Sequence, residues 1–205
     1  MTGEKWGRSP ITPFFCTSKN GVIGLRPHFL VLFCLLVSTF AACHAPVTKP
    51  DLSSFLKDHK AAVFVFLAPD CPLSQNYTLT LNELHSQFQA GGVGFYGVIA
   101  GDSFQKNDID AFVEKYNVKF PMVQDRNFAL TDFFGAMKTP EAFVVTQAGV
   151  TLYKGAIDNW AVELGQHRQT ITQHYLQDVV ASFLEGRQIP FHETDAIGCF
   201  IERKS

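Results

Sequence analysis

The sequence predicts an α/β fold with a central mixed, mostly parallel sheet flanked by helices. Three observations carry this. Residues 61–67 and 93–100 are apolar without alternation, as strands covered on both faces should be. Between and after them, apolar residues recur at helical spacing. Two short β-type runs, 142–146 and 151–154, flank Gln147-Ala148-Gly149 and read as a hairpin, which adds an antiparallel edge. Strands that alternate with helices require right-handed crossovers and parallel pairing.

The elements follow in order. Asp51 is placed to cap a short helix to about His59, with Leu52, Phe55 and Leu56 on one face. The strand at 61–67 ends at Ala68-Pro69. Pro72, favoured in a first helical turn, opens a helix to about Gln89. Its inward face is Leu73, Tyr77, Leu81, Leu84 and Phe88, and Gly91-Gly92 ends it. The second strand is 93–100. Asn107 or Asp108 caps a third helix, with Ile109, Phe112, Val113 and Tyr116 inward. Residues 120–123 read as a short extended piece, and 127–134 as a short helix closed by Gly135. After the hairpin, Thr170 begins the last long helix, with Leu176, Val179, Val180 and Phe183 inward and Gly186 at its end. Residues 187–205 form a tail that carries Cys199.

Of the 205 residues, 46% are hydrophobic and 18% charged, which supports a packed core and excludes collagen, coiled-coil and disordered classes. The first 42 residues read as a leader instead of fold. Arg26 precedes an apolar run of 12 residues, 29–40, too short to span a bilayer with ease, and Ala41-Ala42-Cys43 follows. Phe40-Ala41-Ala42-Cys43 resembles a bacterial lipobox, in which the cysteine is lipidated and becomes the mature N-terminus. Secretion with cleavage near Ala42 or Ala45, or an uncleaved anchor, uses the same features. The expected organisation is a leader at 1–42, a tether at 43–50 and one domain at 51–205. Beyond the leader, 13 basic and 18 acidic side chains remain, a net charge of −5. That is no footprint for nucleic acid.

Cysteine usage changes with the leader. Cys16 and Cys34 leave with it, Cys43 carries lipid, and Cys71 and Cys199 remain, 128 residues apart. Two cysteines in an oxidising compartment suit a disulfide or a redox cycle. Cys71 lies between a buried strand and a Pro-initiated helix. Helix N-termini favour a thiolate over a thiol, so Cys71 is the candidate nucleophile. Asp70 beside it opposes thiolate formation.

The order of elements, with Cys71 at a helix start and Thr139-Pro140 directly before the hairpin, resembles the thioredoxin fold. The resemblance implies that Thr139-Pro140 is cis, faces Cys71 and presents backbone to an extended substrate. More narrowly, four pieces resemble the redoxin branch related to alkyl hydroperoxide reductase and thiol-specific antioxidant proteins. They are Ala68-Pro69-Asp70-Cys71-Pro72-Leu73-Ser74-Gln75-Asn76-Tyr77, Lys138-Thr139-Pro140-Glu141-Ala142-Phe143-Val144, Tyr153-Lys154-Gly155-Ala156-Ile157-Asp158-Asn159, and the tail Thr194-Asp195-Ala196-Ile197-Gly198-Cys199-Phe200-Ile201. The resemblance covers roughly residues 50–202. It implies an extracytoplasmic redoxin whose substrate surface includes Pro72, Thr139, Pro140 and Glu141.

Departures from the relatives narrow the chemistry. A thioredoxin needs Cys-x-x-Cys, but the fourth position here is Ser74, which can hydrogen-bond a thiolate and cannot form a disulfide. Thioredoxins carry a buried acid where this chain has Val65. Peroxiredoxins place a hydroxyl residue where this chain has Ala68, and a proline where it has Phe64. Copper-delivering relatives place a second cysteine where this chain has Gln75.

The expected function is therefore an envelope thiol–disulfide oxidoreductase acting on a protein partner. Cys71 is its nucleophile and Cys199 a distant resolving thiol. Alternatives are a peroxidase with Cys71 peroxidatic, and a redox-inert binding module in which a Cys71–Cys199 disulfide staples the tail. Closing so long a loop favours stability by roughly 4–5 kcal/mol in the chain-entropy model. No cofactor is implied. His192 near Cys199 makes two ligands and no metal site. His167 and His174, seven apart, fit one helical face. Asp158-Asn159 reads as a turn, Trp160 and Tyr153 as packing residues, and Glu141 as a surface contact to substrate or solvent.

Overall fold

The structure, a computed structural model, describes residues 50–203. The leader, the lipidation expected at Cys43 and nearly all of the 43–50 tether lie outside the described residues. In chain order the elements are α1 (Ser53–Leu56), β1 (Ala61–Phe66), α2 (Pro72–Phe88), β2 (Val93–Ala100), α3 (Lys106–Tyr116), β3 (Met122–Asp125) and α4 (Ala129–Phe134). They continue with β4 (Lys138–Thr139), β5 (Glu141–Thr146), β6 (Thr151–Gly155), β7 (Ala161–Glu163), β8 (Gln166–His167), α5 (Tyr175–Leu184) and β9 (Cys199–Phe200).

The main sheet has the order β3-β2-β1-β5-β6. β1, β2 and β3 are parallel, and β5 and β6 add antiparallel strands on the other side of β1. Every residue of β1 is buried, because the pleat sends alternate side chains into two different cores. Val63 and Val65 pack with Tyr77, Leu81, Leu84 and Phe88 of α2 and Leu176, Val179 and Val180 of α5. Ala62, Phe64 and Phe66 face the other way, onto Leu56, Leu130, Phe134, Phe143 and Val145. Aromatic rings dominate that second core: Phe134 lies 5.1 Å from Phe64 and 4.9 Å from Phe143, centroid to centroid. This is the thioredoxin-like fold that the sequence predicts, and the Thr139–Pro140 peptide is cis.

Several expectations need correction. α1 is one turn and stops at Leu56, with Asp51 accepting from the Ser53 N–H. The cap of α3 is Gln105, not Asn107 or Asp108; Asp108 instead completes a capping box by accepting from the Gln105 N–H. The extended piece expected at 120–123 is β3, two residues later. α5 begins at Tyr175, not Thr170. Asn159 explains the delay, since its side-chain oxygen accepts from the N–H groups of Thr172 and Gln173 and holds that segment out of the helix. His167 consequently sits in β8 and His174 ahead of α5, so the two do not share a helical face.

The tail is the main element that the periodicity does not reveal. It runs beside β6, where Lys154 N–H donates to His192 and Thr194 N–H donates to Lys154. It then crosses to form β9, antiparallel to β4, with Thr139 opposite Cys199.

Candidate active site

Cys71 stands where β1 hands the chain to α2. Its backbone is extended, Pro72 follows as the first helical residue, and the Cys71 carbonyl accepts from the Gln75 N–H at 3.1 Å. The loop before it is fastened to the first turn of α2. Ser74 Oγ accepts from the Ala68 N–H at 3.1 Å, and Gln75 Nε2 donates to the Pro69 carbonyl at 2.7 Å. The Ser74 hydroxyl oxygen is thus engaged with the loop, and it is the Ser74 N–H that faces the Cys71 sulfur.

Two further elements meet at that sulfur. The Cys71 thiol donates to the Thr139 carbonyl at 3.1 Å, next to the cis peptide. Cys199 Sγ lies 2.8 Å from Cys71 Sγ, with both cysteines free thiols. The residues brought together are therefore Cys71, Cys199, Ser74, Thr139 and Pro140. Pro72 and Cys199 help line one shallow depression with Leu73, Trp160, Leu164 and His167. On the other side Cys71 and Cys199 border a cleft with Leu67, Ala68, Asp70, Phe104 and Phe200.

The two thiols are driven apart electrostatically. Burial pushes the Cys71 thiol up, but the Cys199 thiol, the N–H groups of Ser74 and Cys199 and the Thr139 hydroxyl together outweigh it. The result lies below the ordinary value of 9.0. Cys199 is pushed up to about 12 by burial, by its hydrogen bond to Cys71 and by the negative charges of Cys71 and Asp70. Asp70 thus acts on Cys199 more than on its sequence neighbour.

The other candidates have definite places. Glu141 Oε2 accepts from the N–H groups of Met137 and Lys138, which pins the loop before Pro140. Tyr153 is fully buried with its hydroxyl on Ala156 and Thr194. Trp160 stacks on His167 at 4.8 Å. His192 Nδ1 meets the Leu152 carbonyl. Asp158 is no simple turn residue. It is buried and accepts from the Tyr77 hydroxyl at 2.6 Å and the Trp160 N–H at 2.8 Å, with Oδ2 unpartnered. Gly198 and Lys138, which the sequence offers only as members of motifs, seat the tail: Lys138 Nζ donates to the Ala196 carbonyl, and Gly198 lies against the Thr139 carbonyl. The Gly-Cys pair in the tail was the available signal.

A family model described as AhpC/TSA matches residues 38–154, more than half of the sequence. The chain belongs to the AhpC/TSA family. A comparison with curated proteins returns no match. Among solved structures, this AhpC/TSA protein is similar to a hypothetical protein from Sinorhizobium meliloti 1021, at 22% identity and a TM-score of 0.64, over 72% of this chain and 82% of that one. An uncharacterized conserved protein from Geobacillus kaustophilus is similar at 21% identity and a TM-score of 0.63, over 74% and 81% of the two chains. Both likenesses concern the fold. A looser one, at 18% identity and a TM-score of 0.43 over 63% of this chain and 84% of that one, is to a secreted disulfide oxidoreductase of Mycobacterium tuberculosis. It is too loose to bear on function. Among the described residues of this AhpC/TSA chain, no helix is long and apolar enough to cross a membrane.

Proposed function

We propose that this protein is an envelope thiol–disulfide oxidoreductase, held at the membrane by a lipid on Cys43, in which Cys71 attacks and Cys199 resolves. The observation that supports it is the 2.8 Å approach of the two free thiols, one depressed and one raised in pKa. Cys71 thiolate attacks one sulfur of a protein partner's disulfide. A Cys71–partner bond forms and the other partner sulfur leaves as thiolate. Cys199 then gives up its proton and attacks Cys71 Sγ. The Cys71–Cys199 bond forms, the second partner sulfur leaves, and the partner's disulfide has been reduced by two electrons. A dithiol donor returns both cysteines to thiols. Every step is reversible, and the potentials of the partners set its direction.

Ser74 gives the arrangement its logic. With no second cysteine in the turn, the mixed disulfide is resolved by Cys199, whose thiol reaches Cys71. Pro72, Thr139 and Pro140 supply the surface on which the partner's extended segment lies, with Glu141 holding the loop beneath it.

The test is a trap. Cys199→Ser should accumulate a Cys71-linked mixed disulfide with a protein partner, identified by mass spectrometry. The Cys71–Cys199 bond of the unaltered protein should have a reduction potential above about −300 mV. A bond more reducing than that, with no trapped species, would leave a structural staple and remove the oxidoreductase.

A further inference from the structure

We infer that the tail strand β9 is a resident occupant of the groove in which a partner's strand docks, and that this groove selects a glycine directly ahead of the partner's cysteine. The inference rests on the exchange reading above and adds to it the kind of partner.

Three contacts place the tail as a docked peptide. Cys199 pairs antiparallel with Thr139, the residue ahead of the cis-proline. The Ile201 N–H donates to the Met137 carbonyl at 2.9 Å, and Lys138 Nζ donates to the Ala196 carbonyl at 2.7 Å. All three contacts use the tail's backbone, so they would accept any extended segment. The side chains differ in their demands. Cys199 is directed onto Cys71 Sγ, while Phe200 is 70% exposed. A strand in this position thus delivers a cysteine sulfur to the nucleophile.

Gly198 sets the selectivity. A Cβ on it would lie 2.3 Å from the Thr139 carbonyl oxygen and 3.2 Å from Pro140 N. Both atoms are backbone in a pinned loop, so neither can retreat as a flexible side chain would. Any residue larger than glycine at that point forces the strand outward and takes the following cysteine with it.

The groove holds one strand at a time. A partner strand enters as β9 leaves, its cysteine is captured by Cys71, and the returning tail brings Cys199 back to resolve the bond. Upstream, the tail stays fastened, because Gly155 lies against Thr194 and the Thr194 hydroxyl meets Tyr153. Release is therefore confined to the residues after Thr194.

The experiment compares two full-length proteins, Cys199→Ser with the tail seated and Gly198→Val/Cys199→Ser with the tail forced out. Each is mixed with Ala-Ile-Gly-Cys-Phe-Ile or Ala-Ile-Val-Cys-Phe-Ile carrying thionitrobenzoate on the cysteine. Release of thionitrobenzoate gives the rate at Cys71. The glycine peptide should react about tenfold faster than the valine peptide, and about tenfold faster with the displaced tail than with the seated one. Equal rates for the two peptides, or no gain on displacement, would overturn the docking inference. Ile201→Asp/Cys199→Ser releases the same strand by taking half-buried Ile201 off the aromatic core, and should give the same ordering if the valine variant does not fold. Ellman's reagent, a small disulfide, separates the two readings. If Cys71 of the displaced protein ignores it, the exchange reading fails. If Cys71 reacts with it but does not distinguish the peptides, only the docking inference fails.

Discussion

Cys199 donates its thiol hydrogen to the sulfur of Cys71 across 2.8 Å, and that one contact moves the two groups in opposite directions. The donor stabilises a Cys71 thiolate, and the thiolate in turn discourages Cys199 from losing its proton. In the proposed exchange, attack by Cys71 and resolution by Cys199 would follow from position: one sulfur is met by several donors, while the other is held up by burial, the Cys71 anion and Asp70.

Alkylation against pH reads this division directly. The rate follows the thiolate fraction, which grows as pH rises through the pKa. Cys71 should show its midpoint below 9.0, and Cys199 should stay slow until pH nears about 12. Cys199→Ala removes a donor while Ser74, Thr139 and the burial remain, so the Cys71 midpoint should climb. Faster labelling of Cys199 than of Cys71 at neutral pH would reverse the assignment.

Tyr77 and Asp158 should matter for stability. The Tyr77 hydroxyl donates to a buried carboxylate that already has one unpartnered oxygen. Burial, followed by the hydrogen bond and charge of Asp158, holds the Tyr77 phenol far above its ordinary value, so the donor persists across the accessible pH range. Tyr77→Phe leaves Asp158 short of a donor and should cost about 1–3 kcal/mol in urea unfolding. A change within a few tenths of the parent would mean that solvent replaces the hydroxyl.

The sheet and its main helices were legible because each carries a period or a run. β1 and β2 are continuous apolar strings, and the inward face of α2 repeats at Leu73, Tyr77, Leu81, Leu84 and Phe88. The meeting of Cys71 with Thr139-Pro140 was legible from local chemistry and resemblance, whereas the Ser74 hydroxyl, expected to face the sulfur, accepts from the Ala68 N–H instead. The pairing of β9 with β4 was not legible, since two-residue strands have no periodicity and their partners lie far apart in sequence. The β7–β8 hairpin was hidden because its strands, although neighbours in sequence, are only three and two residues long. Asp158 looked like a turn residue because its partner, Tyr77, sits on a helix 81 positions earlier.

Lipidation is tested by mass. The apolar run at 29–40 followed by Ala41-Ala42-Cys43 leads us to expect a mature chain that begins at Cys43 and carries acyl chains. Intact-mass analysis of protein extracted from membranes should show a diacyl or triacyl addition on residue 43. A soluble product starting at His44 or later would exclude the anchor.

Peroxide should be a poor substrate. The methyl group of Ala68 stands where peroxidatic relatives carry a hydroxyl, and its backbone N–H is already bonded to Ser74 Oγ. Among the described residues, the cleft beside Cys71 is lined by Asp70 and Glu202 and by no lysine or arginine. Attack of the Cys71 thiolate on peroxide expels hydroxide, whose developing charge this lining opposes. A positioned donor for such charge is often worth about 2.7–4 kcal/mol, or roughly 10²–10³ in rate. The reduced protein should therefore react with hydrogen peroxide at about the rate of an ordinary thiolate, while exchanging readily with disulfides. Stopped-flow oxidation measures this. A rate constant several orders of magnitude above that of free cysteine thiolate would reject the exchange enzyme and favour a peroxidase in which Cys199 resolves the sulfenic acid formed on Cys71.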